Sequence, residues 1–155
     1  MVESGRKWHK VVEYMFIGLY NHTLDAKNRI IIPAKFRERL GPNAVITIGN
    51  DGCLSIYTAQ EWERLFQQLS QMNSNSGATR KHIRMLAGSA SECEFDNQGR
   101  VGLPQNLIQL CNLNKEVVIV GNLTHIEIWS KERWEEYYSD AMADFDANAE
   151  SLPRD

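Results

Sequence analysis

Cysteine is scarce in this sequence. Cys53, Cys93 and Cys111 stand far apart with no CxxC, and three is an odd number. That argues against a complete disulfide framework and for a reducing, cytoplasmic setting. Long apolar runs are also missing. Before Tyr20 the only apolar stretch, Met15 to Leu19, is too short for a signal core or a membrane span, and Glu3 and Glu13 interrupt the bases ahead of it. No membrane contact is expected. There is no phosphate-cradling glycine loop, no GxSxG and no HExxH, and His22, Cys53, His82, Cys93 and His125 lack metal-ligand spacing. No catalytic residue, metal, cofactor or small-molecule substrate is therefore expected.

Excess positive charge is missing as well, since the formal net charge is −3. Its distribution decides more than its sum. From Lys131 to Asp155 three bases stand against eight acids, net −5, which leaves +2 for the first 130 residues. Within those, Lys27, Arg29, Lys35, Arg37 and Arg39 face a single acid, Glu38, and a second basic cluster is Arg80, Lys81 and Arg84. An isolated cluster of this kind reads as a solvated face. The first cluster, however, coincides with a repeated motif.

That motif is Asp25-Ala-Lys-Asn-Arg29-Ile-Ile-Ile-Pro33, which returns as Asp96-Asn-Gln-Gly-Arg100-Val-Gly-Leu-Pro104 with Asp, Arg and Pro in the same register. The likeness continues from Gly49-Asn50 and Cys53 to Trp62, against Gly121-Asn122 and His125 to Trp134. Two tandem copies result, and copies this short share one core rather than two. The fold class expected is α+β, two pseudo-symmetric β-rich halves in one compact unit with short helices. The division is an N-terminal extension over 1–14, a first half over 15–70, a linker and connecting helix over 71–89, a second half over 90–139 and an acidic tail over 140–155.

Arg29 to Ile32 and Arg100 to Leu103 read as short strands that end at a proline and follow a polar turn. In each turn the residue before the arginine, Asn28 or Gly99, tolerates a left-handed backbone. Asp25 and Asp96 would hydrogen-bond the turn amides and orient the arginine. After the prolines, Ala34 to Leu40 and Gln105 to Leu110 have helical spacing. Val45 to Ile48 and Leu54 to Tyr57 are strands around a Gly49–Gly52 turn, matched by Val117 to Val120 and Ile126 to Trp129. Thr58-Ala-Gln-Glu61 reads as a capping box for a helix with Trp62, Leu65, Phe66 and Leu69 on one face, and Ser130 caps its counterpart. Ser70 to Thr79 is a linker, Arg80 to Ala87 a helix, and the tail beyond Asp140 is expected to be loosely ordered. Trp62, Trp129, Trp134, Met85 and Leu86 are core or interface candidates.

Two chemistries compete for the repeated Asp and Arg. A carboxylate pair, Asp25 with Asp96, could serve as general acid and base. An aspartate four residues before an arginine across a tight turn more often supports the turn. Arginine binds phosphate with a planar fork or reads guanine in the major groove, and a strand-turn-strand edge is thin enough to enter that groove. Arg29 and Arg100 are therefore the expected DNA contacts, with Lys27, Lys35 and Arg37 adding phosphate contacts around the first; the turn-supporting residues are Asp25, Asn28, Asp96 and Gly99. Gln105 and Asn106 near Arg100 make the second copy a weaker reader or an assembly surface.

Met15-Phe-x-Gly, the motif with Phe36-Arg37 behind it, Ala90-Ser-Glu-Cys93 before Asp96-x-x-Gly-Arg100, and Glu116-Val-Val-Ile-Val-Gly121 together resemble the MraZ family of bacterial regulators of division and cell-wall genes. Asn28 stands where that family's first motif has glycine. The resemblance implies a fold related to the AbrB and SpoVT swapped-hairpin domains and a ring-shaped homo-oligomer. It further implies binding to double-stranded DNA with short direct repeats upstream of the protein's own operon, and a nucleoid-associated, cytoplasmic location. Arg29 and Arg100 occupy the family's DNA-contact positions. The fourteen residues before Met15 fall outside the pattern. Val2-Glu3, Ser4-Gly5, Lys7-Trp8 and Val11-Val12-Glu13 are each encodable by DNA containing GTGG, so this leader is expected to be operator DNA read in frame, with Met15 the ordinary start.

Overall fold

Neither copy of the repeat completes a sheet from its own strands. The computed structural model describes residues 15–153; the leader and its expected coding origin lie outside the described residues. The first half supplies β1 (Leu19–Thr23), β2 (Arg29–Ile31), α1 (Ala34–Leu40), β3 (Val45–Ile48), β4 (Leu54–Tyr57) and α2 (Ala59–Ser70). After α3 (Gly77–Gly88) the second half supplies β5 (Ser91–Glu92), β6 (Arg100–Gly102), α4 (Gln105–Leu110), β7 (Glu116–Asn122), β8 (His125–Ser130), α5 (Lys131–Ala143) and α6 (Phe145–Glu150). The main sheet runs β1-β7-β8-β4-β3-β5, and β2 pairs with β6 in a separate ribbon. Each half thus lends its first strand to the other, β1 beside β7 and β5 beside β3. The halves are two lobes of one α+β unit.

The alternation within the strands explains why the halves close on each other. Ile46 faces Ile56, Ile56 faces Ile126, and Leu54 and Ile119 both face Ile128, giving an apolar row across the junction between halves. All six are buried, together with Phe36 from α1 and Leu107 from α4. Phe36 meets the rings of Phe16 at 5.6 Å and Tyr20 at 5.3 Å, both edge-on. Burying a side chain of that size is worth about 1.5–3 kcal/mol. Ile30 and Val101, the central pair of the ribbon, point into the same core.

Several elements form differently from the sequence reading. Pro33 and Pro104 stand one place before their helices, at the cap with ψ near 137° and 138°, where their carbonyls accept the first helical amides. Thr58 accepts from the Glu61 amide at 3.0 Å, but the Glu61 carboxylate pairs with Arg64 at 3.4 Å, so only half of the capping box exists. Ser130 does cap α5, accepting from the Arg133 amide at 3.1 Å. The tail expected to be loose is helical, through α5 and then α6, because Ala141, Ala143, Ala147 and Ala149 favour helix among the acids. Leu86 is buried as expected, whereas Met85, its neighbour on α3, faces outward: adjacent helical residues cannot share one face. Trp129 is buried, and Trp62 and Trp134 partly so.

Candidate nucleic-acid interface

The β2–β6 ribbon carries one turn at each end, built twice from the same hydrogen bonds. Asp25 Oδ1 accepts from the amides of Lys27 and Arg29, both at 2.9 Å, and its Oδ2 accepts from Arg29 Nε at 2.8 Å. Asp96 repeats this with the Gln98 amide at 2.9 Å, the Arg100 amide at 3.0 Å and Arg100 Nε at 2.8 Å. The turn closes because Asn28 and Gly99 are left-handed, with φ of 57° and 78°. Three bonds from one carboxylate fix both the loop and the first nitrogen of the guanidinium.

The turns also depend on the opposite half. The Leu103 amide donates to the Asn28 carbonyl at 3.0 Å and the Ile32 amide to the Gly99 carbonyl at 3.3 Å. Around the first turn, Asn28 Nδ2 donates to Gln105 Oε1 at 3.2 Å. Around the second, Arg37 donates through Nε to the Ile32 carbonyl at 3.0 Å and lays its guanidinium over Gly99, where any Cβ would collide with it. Arg37 therefore supports the Asp96 turn rather than standing clear for a phosphate, a role its sequence position did not disclose.

With Ile30 and Val101 buried, the ribbon's outward face consists of Arg29, Ile31, Arg100 and Gly102. The two arginine side chains are 30% and 25% exposed, so neither is locked inside the protein. Among the described residues the terminal nitrogens of Arg29 have no protein partner, and Arg100 Nη1 approaches Asp25 Oδ2 only to 3.9 Å. Lys27 is exposed at the tip of the first turn. Lys35 is exposed too, its Nζ 5.2 Å above the Tyr20 ring. Arg39 is tied down, donating to the Met15 carbonyl at 2.7 Å. Ile31, half exposed beside Arg100, is a surface feature that its place in an apolar run concealed.

The backbone amide of Arg29 does most to hold the Asp25 carboxyl below its ordinary range, with the Arg29 side chain and the Lys27 amide adding to it. The Arg100 amide, the Arg100 side chain and the Gln98 amide do the same for Asp96. Such groups are poor proton donors at neutral pH, which counts against the acid–base pair. Their stabilising bonds are complete above the unfolded carboxylate range, about 3.9, and are lost only as pH falls through the depressed folded value. Amide NMR shifts of Lys27, Arg29, Gln98 and Arg100 should accordingly hold steady through that range and move only below it. Titration at the unfolded value would contradict the carboxylate cage.

Elsewhere, the three cysteines are free, with burial raising Cys93 to about 12 and Cys111 to about 11. Among the described residues no group of three His, Cys, Asp or Glu could hold a metal ion, and no helix is long and apolar enough to cross a membrane.

The doubled site coincides with a doubled family match. The model of the family described as "MraZ protein, putative antitoxin-like" matches residues 15–85 and again residues 85–154. A protein named transcriptional regulator MraZ from Clostridium acetobutylicum is 49% identical over 138 residues, covering 89% of this chain and 96% of its own. Proteins of the same name from Clostridium tetani and Moorella thermoacetica are 47% and 46% identical over the same shares. On two matched copies and relatives of nearly full length, this chain belongs to the MraZ family.

Proposed function

We propose that this protein is a transcriptional regulator that binds double-stranded DNA at short direct repeats upstream of its own operon, within the division and cell-wall gene cluster, as a ring-shaped homo-oligomer. One observation carries the reading: two arginines, each fixed through Nε by its own aspartate, share the outward face of one two-stranded ribbon while their side chains remain partly exposed. The relatives' name supports the regulatory role. A ribbon of two strands fits a major groove about 12 Å wide. Arg29 and Arg100 then meet base edges or phosphate, Lys27 and Lys35 add phosphate contacts, and Asp25, Asn28, Asp96 and Gly99 hold the turns. Arg37 supports the second turn and lends its charge. The half-exposed Ile31 offers an apolar contact beside Arg100.

A single ribbon discriminates weakly, so several must meet several repeats at once, gaining through effective concentration. Gel-shift titration with the upstream region of the protein's own gene, at two salt concentrations, tests the reading. Inserting half a helical turn, about 5 base pairs, between two repeats should weaken joint binding at least tenfold. Equal affinity for both spacings would remove the ring-mediated contact, and a large particle that shifts no operator DNA would leave only an assembly module.

A further inference from the structure

We propose that Ile31 reads the methyl group of a thymine beside the guanine met by Arg100, so that the ribbon takes its DNA in one direction only. The proposal rests on the DNA-binding reading above and names what that site recognises. Ile30 and Ile32 are fully buried, whereas Ile31 between them is 49% exposed, because successive strand residues point to opposite faces. The face it shares is the one that carries Arg29 and Arg100, and no other large apolar side chain of the ribbon stands there.

The two ends of the ribbon are equivalent in backbone and unequal in side chains. A pseudo-twofold axis passes between Ile30 and Val101, the central pair, and exchanges Arg29 with Arg100. The same operation sets Ile31 on Gly102, so that Arg29 stands opposite a glycine and Arg100 opposite an isoleucine. Space does not impose the difference, since a Cβ at Gly102 would meet nothing nearer than Arg29 Cγ at 3.9 Å. The inequality continues outward. Lys27 and Lys35 have Gln98 and Asn106 as their counterparts, and all four are exposed. Charge for phosphate thus gathers at the first turn, and an apolar contact stands at the second.

The chemistry of the major groove gives that contact a ligand. Thymine is the base that places a methyl group there, on C5, while guanine offers O6 and N7 to a guanidinium. Residues directly opposite on antiparallel strands have Cβ atoms about 4.5–5.5 Å apart, and successive nucleotides of one strand rise by about 3.4 Å. Ile31 and Arg100 are therefore spaced for neighbouring base pairs. The guanine met by Arg100 is paired with cytosine, which has no such methyl, so the thymine belongs to the adjoining pair. At the other end Gly102 leaves the base beside the guanine of Arg29 unread. A ribbon with a true twofold axis would favour a palindrome. This one favours an oriented site, which suits the direct repeats proposed above.

Replacing thymidine by deoxyuridine removes the methyl group and leaves every hydrogen-bonding group in place, which tests the contact with the full chain. Duplexes from the upstream region of the protein's own gene, each with one thymidine of a repeat replaced, are titrated by gel shift. One thymidine per repeat should prove sensitive, its replacement weakening binding about fourfold, the worth of one buried methyl group. Ile31→Ala should weaken binding to the natural duplex by a similar factor and should no longer distinguish it from the deoxyuridine duplex. Ile31→Val, which keeps a branched apolar surface, should still distinguish the two. Circular dichroism of both variants should match the wild type, because the side chain lies outside the core. If no thymidine is sensitive, or if the sensitivity persists undiminished in Ile31→Ala, the proposal is overturned and the DNA reading stands. A wild-type protein that shifts none of these duplexes would overturn both.

Discussion

Arg29→Ala should weaken operator binding by more than tenfold and lower the steepness of its salt dependence, with the fold unchanged. A guanidinium contact to base edges or phosphate contributes about 1–3 kcal/mol, roughly 5- to 150-fold per site, and a ring engaging several repeats multiplies the loss. Removing one phosphate contact per subunit lowers the salt slope by about one per subunit engaged. Arg29→Lys should recover the slope but only part of the affinity, because an ammonium keeps the charge without the fork. Arg100→Ala should cost less, as its neighbours Gln105 and Asn106 add no positive charge. Unchanged affinity with an unchanged slope for Arg29→Ala would reject the assignment. The aspartate supplies a test of opposite sign. Deleting a negative charge from the proposed DNA-binding surface by Asp25→Ala strengthens binding if simple electrostatics governs. If the three bonds from Asp25 pre-organise the arginine, binding weakens instead.

The elements legible in the sequence are those whose cause is local. Val45–Ile48 and Leu54–Tyr57 are bounded by Gly49 and Gly52, and α1 and α4 begin where a proline requires. β1 and β5 are strands for a reason that no local pattern contains. Leu19-Tyr-Asn-His-Thr23 is largely polar and Ser91–Glu92 is two residues long, and each becomes a strand only because the other half presents an edge to it. The exchange of strands was accordingly implied by family resemblance and not by periodicity. The site divides in the same way. Asp25, Arg29 and their counterparts were legible because they recur four residues apart with a left-handed position between them. The hold of Arg37 on Gly99 was not, because 62 positions of chain separate two groups that only the pseudo-dyad brings together. Acid density misled at the tail, where charge reads as disorder but alanine spacing sustains helix.

Severing the chain between α2 and α3 should abolish folding of either piece alone and restore it on mixing. Residues 15–76 by themselves leave Ile30, Ile46, Leu54, Ile56 and Phe36 without the strands and α4 that cover them, and β1 without β7. Residues 77–153 lose the converse set. A piece of a pseudo-symmetric chain has one escape, pairing with its own copy in place of the missing half. The contacts at the ribbon oppose this. In a homodimer of the first piece Arg37 would lie over Asn28, whose side chain occupies the space that Gly99 leaves open. In a homodimer of the second piece Ile108 would stand where Arg37 stood, and Gln105 would face Gly99, which has no side-chain amide to offer it. The two pieces should therefore combine one to one, with cooperative unfolding that neither gives alone. Calorimetry and native mass spectrometry of the pieces, separate and mixed, would decide. Homodimers as stable as the mixture would mean that the Arg37–Gly99 and Asn28–Gln105 contacts do not select the partner, the sheet junction accepting either half alike. Cooperative unfolding of a monomeric piece would mean that strand exchange is dispensable to the fold.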